Sequence, residues 1–480
     1  MTESGGPRPN RPTASSRGPT VTLGVAICLG IWAATVMIVP SLAGRLALTV
    51  PLIVIALFHW MVLQPFRWIV VFFLADLLLP PLPVPFGDSG VHVAPFIAAL
   101  GGIVSLVWVA GWRNWVHPVS LWLMIFVAVL VESLAFGAAY SGLEIAVASM
   151  ARVCLFAIGV FVFLYAYAGP RPKEWGDLRT SRFLFEVGVS AALFACADFY
   201  FQFTPPAGFG DQFVWLPGAV LRRAQGLFYE ASTLGNFCAF FLVMVAVSLI
   251  RPCEQSPSSR PALLLGGLVL GTALMLSYSR ASVINVAVAV CVLAAIRFRP
   301  FLRTLIALAG TLVAAGIVVH LALPAFSASY WTRVLGSLNY FAQSPNQVLS
   351  GRLDHWHTLA AFLSSEPWHL VFGIGYKTLP YSDFIGGAVV ADNTYLGLLA
   401  ETGIVGLTVF VVLNIAVLHT GWKALHSRQP EAAFLGEWIF CFWCGQAIQM
   451  LSGDLITYWR VLPVYFWVLG AAARHTRSAK

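Results

Sequence analysis

The sequence predicts an all-α, polytopic membrane protein, and three observations support that fold class. Hydrophobic residues make up 59% of the 480-residue chain, whereas charged residues make up only 10%. The mean hydropathy is +0.82, and apolar runs of about 20 residues, the length that crosses a bilayer as a helix, recur along the chain. A soluble domain carries about 25% charged residues, so this composition excludes a cytosolic enzyme, a nucleic-acid-binding protein and a disordered chain.

The order of apolar runs and polar connections predicts five regions. Residues 1–20 are rich in Pro, Ser, Gly and Arg and are expected to be a disordered tail. Eleven spans are expected in 21–323, one large loop in 324–394, three more spans in 395–473, and a short tail in 474–480. The expected spans are 21–40, 46–63, 67–84, 92–111, 120–138, 143–168, 183–202, 231–250, 262–278, 282–297, 301–322, 395–418, 432–451 and 456–473. Two pairs of spans are tightly spaced, so the expected total is 12–14.

The lysines and arginines predict the orientation of the chain. With the N-terminus in the cytoplasm, 19 of the 28 basic residues fall on the cytoplasmic side, seven on the outer side and two within spans. Cytoplasmic loops of membrane proteins carry such an excess, so both termini are expected in the cytoplasm. The large loop and a shorter segment at 203–230 then face outward, and connections of this length are usually functional.

Ionisable residues inside the apolar spans are a second signal, because a charge in a bilayer is costly and is usually functional. Most of them fall in the outer half: Glu132, Arg152, Asp198, Glu230, Arg280, Asp454 and Arg460. For each residue alone, an internal ion pair such as Glu132 with Arg152 is the simpler interpretation. For the group as a whole, which lies on the same side as the large loop, a polar cavity that opens outward is favoured.

Four polar segments on that side indicate the chemistry. They are Arg222–Thr233, Ser277–Ser282, Gly351–His357, and Ala391–Leu396 followed by Glu401–Gly406. Arg280 interrupts two short apolar runs where an anionic headgroup would lie, and a guanidinium binds phosphate with two parallel hydrogen bonds. Arg352, Trp356, Leu359 and Leu363 share one face at helical spacing, which predicts an interfacial helix over the cavity.

The ordered set of motifs resembles the O-antigen ligase / O-antigen polymerase family of bacterial membrane glycosyltransferases over roughly 220–410. The matching residues are Arg223–Phe228, Ser279–Ala281, Arg352 with Trp356, Pro367 with Phe372–Gly375, Asp392–Leu396, and Glu401–Leu407. Family ligases that load lipid A–core commonly have His before the asparagine, where this chain has Asp392. That departure favours a polymerase, with a ligase as the alternative and a lipid-linked oligosaccharide flippase as the alternative of another class.

The resemblance implies transfer of a glycan from an undecaprenyl-diphosphate carrier to an acceptor sugar at the outer face of the bacterial cytoplasmic membrane. It implies no nucleotide sugar, no cofactor and no metal, and its partners are the lipid-linked donor, the acceptor glycan, membrane lipids and a chain-length regulator. The expected catalytic residues are Asp392 as first candidate base, Glu230 as second, and Arg280 as an electrostatic stabiliser of the diphosphate. The expected substrate-binding residues are Arg222, Arg223, Arg352, Trp356, Asn393 and Tyr395.

Overall fold

The computed structural model describes residues 31, 32, 34–82, 92–112, 116–172, 174–205, 210, 212–216, 219–340, 346, 351–365, 367–381 and 389–476. Helices dominate these residues, and the predicted all-α, polytopic fold class is confirmed. The chain divides into two units, one up to Gln64 and one from Pro65 onward. The first unit contains helix α1 (Leu42–Leu63).

The second unit contains the remaining elements. Its helices are α2 (Arg67–Leu78), α3 (Ala94–Val107), α4 (Pro118–Ser141), α5 (Leu143–Ala168), α6 (Asp177–Phe201), α7 (Ala231–Ile250), α8 (Arg260–Leu276), α9 (Arg280–Ile296), α10 (Phe298–Ala322), α11 (Pro324–Tyr340), α12 (Arg352–Ser365), α13 (Pro367–Phe372), α14 (Thr394–Leu425), α15 (Pro430–Gln449) and α16 (Leu462–Thr476). Between α6 and α7, strands β1 (Phe213–Leu216) and β2 (Ala219–Arg222) form an antiparallel hairpin in which Phe213 pairs with Arg222.

Six of the described helices are long and apolar enough to cross a bilayer. They are α1, from Gly44, and α4, α5, α6, α7 and α14. Shorter apolar helices are α3, α8, α9 and the Ile306–Ala322 part of α10. Of the expected span 21–40, residues 31, 32 and 34–40 are described, and 31, 32 and 34–38 are helical; the rest of this span lies outside the described residues.

The expected span 67–84 differs from the structure, where helix α2 ends at Leu78 after 12 residues. The cause is local, because Pro80 and Pro81 follow. Proline has no backbone N–H to continue the helix, and it disfavours helical geometry in the residue before it. The expected span 456–473 begins later than predicted, with helix α16 starting at Leu462 after a short 3₁₀ turn at Leu455–Thr457.

Helix α7 forms the centre of the bundle. Nearly all of its residues are buried, and it packs against α8, α9 and α15. Gly235 of α7 lies against the side chains of Ser277, Ser279 and Ser282. Small residues allow such close approach between membrane helices, and here the approach fixes α7 against the break between α8 and α9.

A buried amide network lies just inside that break and joins α7, α9 and α15. Asn236 Nδ2 donates to Gln446 Oε1 at 2.7 Å and to Gln449 Oε1 at 2.9 Å, and Asn285 Nδ2 contacts the same two oxygens. Gln449 Nε2 donates to the Ser282 hydroxyl at 3.1 Å. Buried polar groups with partners specify one arrangement of their helices, so the start of α9 is held in a defined position.

Candidate functional site

The segment before helix α7 lies directly on the break between α8 and α9. The Ala224 backbone N–H donates to the Leu276 carbonyl at 3.1 Å, and Arg223 Nε donates to the Ser277 carbonyl at 2.8 Å. Arg280 is the first residue of α9, and its side chain, like that of Arg223, is half-buried. Two arginines from separate motifs therefore meet at one break. We define the "loop end" of the bundle as this break together with the described segments 223–230, 276–280, 372–381, 389–394 and 450–461.

The position of Arg280 adds to its capacity to bind an anion. The first N–H groups of a helix have no partner within the helix, and the helix dipole places partial positive charge there. Arg280 stands at this end of α9. A phosphate at the break would meet the guanidinium groups and the helix terminus together.

A helix is present where the interfacial helix was predicted, as α12. Arg352 Nε donates to Asp392 Oδ2 at 3.1 Å, and Trp356 Nε1 donates to the Ala391 carbonyl at 2.7 Å. Leu359 and Leu363, on the same face, are buried. The face therefore docks α12 onto the segment before α14, and it brings Arg352 to the expected base.

Three expected substrate-binding residues have partners inside the protein. Arg222, 6% exposed, donates from Nη2 to Asp198 Oδ1 and to the Phe203 carbonyl, both at 2.7 Å. Asn393 caps helix α14, because its Oδ1 accepts from the Tyr395 and Leu396 N–H groups at 3.0 and 3.1 Å. The Tyr395 hydroxyl donates to the Ala447 carbonyl at 3.0 Å. These hydrogen bonds show that all three side chains stabilise the structure around the site.

Glu230 lies at the mouth of the site and opens to solvent. Its Oε2 accepts a hydrogen bond from the Ser232 hydroxyl at 2.8 Å. The surrounding protein raises the pKa of Glu230 by desolvation, and the negative charges of Asp392 and Asp454 raise it further, while Ser232 and Arg223 act in the opposite direction. Glu230, Asp392 and Asp454 therefore lie within electrostatic reach of one another, and we call these three carboxylates the acidic cluster.

Asp454 of the acidic cluster and its partner Lys377 were missed as site residues from sequence. Lys377 Nζ forms an ion pair with the Asp454 carboxylate and lies 3.7 Å from Glu401 Oε2. Arg152 Nη1 donates to the Lys377 carbonyl at 3.1 Å. The sequence signals for these two residues were the charge of Asp454 next to an apolar run and the position of Lys377 after Gly375. Neither signal predicts that Lys377 and Asp454 form an ion pair with each other.

Arg460, also in the outer group of charges, connects helix α2 to the Gly-Leu-Phe motif. It is 2% exposed. Its Nε donates to the Asp76 carbonyl at 2.7 Å, and its Nη1 donates to the Leu227 carbonyl. The guanidinium lies over the Phe228 ring, 5.6 Å from the centroid. Arg460 thus fixes the segment that leads to Glu230.

The two glycine motifs of the resemblance contact each other through their backbones. The Ile374 and Gly375 N–H groups donate to the Ala400 and Glu401 carbonyls at 3.1 and 2.9 Å. Helix α14 is broken at Gly403, whose φ is 67°. A Cβ there would lie 2.1 Å from the Val371 carbonyl oxygen, so only glycine fits both the left-handed backbone and the contact.

Backbone strain marks the same segments. Tyr278 and Lys377 have φ of 57° and Asp392 has φ of 43°. Left-handed backbone in residues other than glycine costs free energy and clusters at functional sites. Tyr278 lies near Arg280, Lys377 pairs with Asp454, and Asp392 precedes Asn393. The strained backbone therefore occurs at the site residues, where the surrounding structure must stabilise it.

Among the described residues, one group of side chains has its ligand atoms close enough to share a metal ion, and it lies at the other end of the bundle. The group is Asp177, Glu431 and His475. Asp177 already pairs with Arg171 and bonds His475 Nε2 at 2.6 Å. These partners balance the carboxylate charge, so the group is an ion-pair network of the framework.

Comparison with protein families shows what the middle of the chain is similar to. Residues 265–411 match the family model described as O-antigen ligase. This segment, which is under half of the chain, is therefore similar to the O-antigen ligase family. No curated protein matches the chain significantly.

The O-antigen ligase family consists of membrane glycosyltransferase-like enzymes of ligase or polymerase type. The matched segment includes Arg280, Arg352, Lys377, Asp392 and Glu401. The remaining members of the site, Arg223, Glu230 and Asp454, lie outside that segment and are brought to it by the fold.

Proposed function

We propose that this protein is a polysaccharide polymerase of the O-antigen or exopolysaccharide type. It transfers a glycan from an undecaprenyl-diphosphate carrier to an acceptor sugar at the outer face of the cytoplasmic membrane. The observation that carries the proposal is the meeting of Arg223 and Arg280 at one break, where Arg223 bonds the Ser277 carbonyl at 2.8 Å. Two half-buried guanidinium groups at a helix N-terminus suit the diphosphate of a lipid carrier.

The proposed orientation follows from the charges of the connections. The basic residues predict that both termini are cytoplasmic, and the site then faces outward in the bacterial inner membrane. Lipid-linked glycans on that side have no nucleotide attached, so a donor activated by its own diphosphate fits the site.

The proposed reaction is a single displacement. An acceptor hydroxyl attacks the anomeric carbon of the donor, the bond from that carbon to the diphosphate oxygen breaks, and undecaprenyl diphosphate leaves. Arg223 and Arg280 stabilise the charge that develops on the leaving group, and a carboxylate accepts the hydroxyl proton. One displacement inverts the anomeric configuration. No step requires a metal ion or a cofactor.

Two carboxylates are candidates for the base. Asp392 faces the Arg352 guanidinium at 3.1 Å, and this pairing occupies one of its carboxylate oxygens. Glu230 has a raised pKa because of desolvation and the neighbouring negative charges, and a general base works best with a pKa nearer the working pH. The surroundings therefore favour Glu230 as the base and Asp392 as the residue that holds Arg352 at the site.

The other expected residues take supporting roles in this proposal. Arg352 is 26% exposed on its side chain and can add to the binding of the diphosphate. Trp356, bonded to the Ala391 carbonyl, positions α12. Arg222, Asn393 and Tyr395 maintain the segments on which the site residues stand.

A ligase that loads lipid A–core is the second candidate function, and the experiment separates the two. Purified protein in nanodiscs is given an undecaprenyl-diphosphate-linked repeat unit, with or without lipid A–core. A ladder of glycans without lipid A–core supports a polymerase, and transfer only when lipid A–core is present supports a ligase. Carrier movement across the bilayer without any new glycosidic bond would instead support a flippase. A chain-length regulator, if added, should narrow the ladder of a polymerase.

A further inference from the structure

Asp454 is fixed beside the expected base residues by a clamp between distant parts of the chain. The Thr394 hydroxyl donates to the Gly453 carbonyl at 2.7 Å, and the Leu455 N–H donates to the Thr394 hydroxyl oxygen at 3.2 Å. Both residues that flank Asp454 are thus bound to the first residue of helix α14. Since Asp392 lies two positions before Thr394, the clamp places Asp454 next to Asp392.

Lys377 binds the side chain of Asp454 on the side that faces the protein interior. Its side chain is 12% exposed, and those of Asp454 and Glu401 are 30% and 4% exposed. Burial lowers the pKa of Lys377, but Asp454 and Glu401 raise it by more, and the net shift is upward. Lys377 therefore keeps its charge, and Asp454 presents a carboxylate that is bound on one side and open on the other.

Tyr458 packs beside the segment that carries Asp454 and is itself buried, at 7% exposed. The Tyr458 hydroxyl lies near Gly453, 3.8 Å from the position of a Cβ built there. Tyr458 also lies within electrostatic reach of Glu230, Asp454 and Asp392, which raise its pKa beyond the effect of burial. The open oxygen of the Asp454 carboxylate matches the hydroxyl groups of a sugar, since a carboxylate accepts hydrogen bonds.

We propose that Asp454 binds hydroxyl groups of the acceptor's terminal sugar, next to Glu230, and that Lys377 is the positioning residue that holds Asp454 there. This inference rests on the proposed glycosyltransferase function and assigns the acceptor side of its site. The diphosphate takes the arginine side, at Arg223 and Arg280. Because Glu230, Asp392 and Asp454 are all acidic, the terminal sugar is neutral: a uronate would add a fourth negative charge beside them.

The test measures donor and acceptor kinetics separately, with the full-length protein in nanodiscs. Asp454→Asn should raise the acceptor KM about tenfold or more, which is the usual effect of removing a hydrogen bond to a charged group, with the donor KM within about twofold. Lys377→Met should give the same change, and Lys377→Arg, which keeps the charge, should restore part of the loss. The matched control is Asp354→Asn, an exposed carboxylate on α12 that bonds Asn346, and it should behave as wild type.

The wild-type protein supplies a second measurement that does not depend on how the variants fold. Oligosaccharides that end in a neutral hexose should inhibit elongation at least about tenfold better than matched ones that end in a uronate, and Asp454→Asn should reduce that preference. Equal inhibition by the two oligosaccharides overturns the inference, as does an unchanged acceptor KM in folded Asp454→Asn. A wild type that forms no glycosidic bond with any lipid-diphosphate donor contradicts the proposed function, and this inference with it.

Discussion

The two ends of the helix bundle use their charged residues differently. At the end opposite the loop end, which we call the tail end, Glu437 is fully buried between Arg251 Nη2 at 2.6 Å and Arg297 Nε at 2.9 Å. Asp177 pairs there with Arg171 and His475. At the loop end, the side chains of Asp392 and Asp454 are 46% and 30% exposed. Glu437 and Asp177 at the tail end are closed within ion pairs, whereas Asp392 and Asp454 at the loop end remain open on one side.

This difference separates structural charges from those available for chemistry. A buried pair costs desolvation and is retained when its geometry satisfies both partners, which describes Glu437 and its two arginines. The loop end instead combines exposed carboxylates, half-buried arginines and strained backbone at Tyr278 and Lys377. Both sets are charges in an apolar chain, so burial and pairing, rather than charge alone, indicate which end carries the site.

The largest effect is expected at the loop end, for Arg280→Ala. Loss of a preorganised stabilising group typically costs about 10²–10³-fold in rate, so glycan elongation should fall below detection in a cell-based assay. Protein level in the membrane should stay normal. The control is Arg182→Ala, which removes an exposed pair with Glu186 on α6. Full elongation by Arg280→Ala would refute binding of the diphosphate at the break.

At the tail end, Glu437→Gln should act on stability. It leaves Arg251, with only 8% of its side chain exposed, without its counter-charge, and breaking a buried pair costs about 3–5 kcal/mol. Thermal unfolding in detergent should show a lower midpoint than wild type, and the folded fraction should keep its turnover rate. Unchanged stability together with lost turnover would reverse the roles assigned to the two ends.

Gly403→Ala tests the backbone contact beneath the site. Left-handed backbone costs about 1–3 kcal/mol in other residues, and the added Cβ would also clash with the Val371 carbonyl oxygen. Stability and elongation should therefore both fall. Gly310→Ala on α10 is the matched control, because nothing lies within 4 Å of a Cβ at that position. Wild-type stability in Gly403→Ala would contradict the break in α14.

The smallest effect is a shift in pH dependence. With Glu230 as the base, activity is lost as the pH falls through its pKa, which lies above the usual 4.5. Asp392→Asn removes a neighbouring negative charge and should move the acid limb of kcat/KM to lower pH by up to about one unit. If the same variant abolishes activity at every pH, Asp392 is the base instead.

The sequence was sufficient for the fold class and for parts of the site that depend on local pattern. Arg280 stood out as a charge between two apolar runs, and the face of α12 followed from helical spacing at Arg352 and Trp356. The pair of Lys377 with Asp454 could not be predicted, because its partners are 77 positions apart and meet through the glycine contact and the Thr394 clamp. The ion pair of Arg222 with Asp198 could not be predicted either, because it depends on how α6 packs beside the β-hairpin.

The central claim is that chemistry belongs to the loop end and stability to the tail end. The most direct measurement is the initial rate of undecaprenyl diphosphate release in nanodiscs, per amount of folded protein, for wild type, Arg280→Ala and Glu437→Gln. We expect Arg280→Ala to fall to about 1% of wild type or less and Glu437→Gln to stay within about twofold. Release by Arg280→Ala at the wild-type rate, or equal losses in the two variants, would contradict the claim.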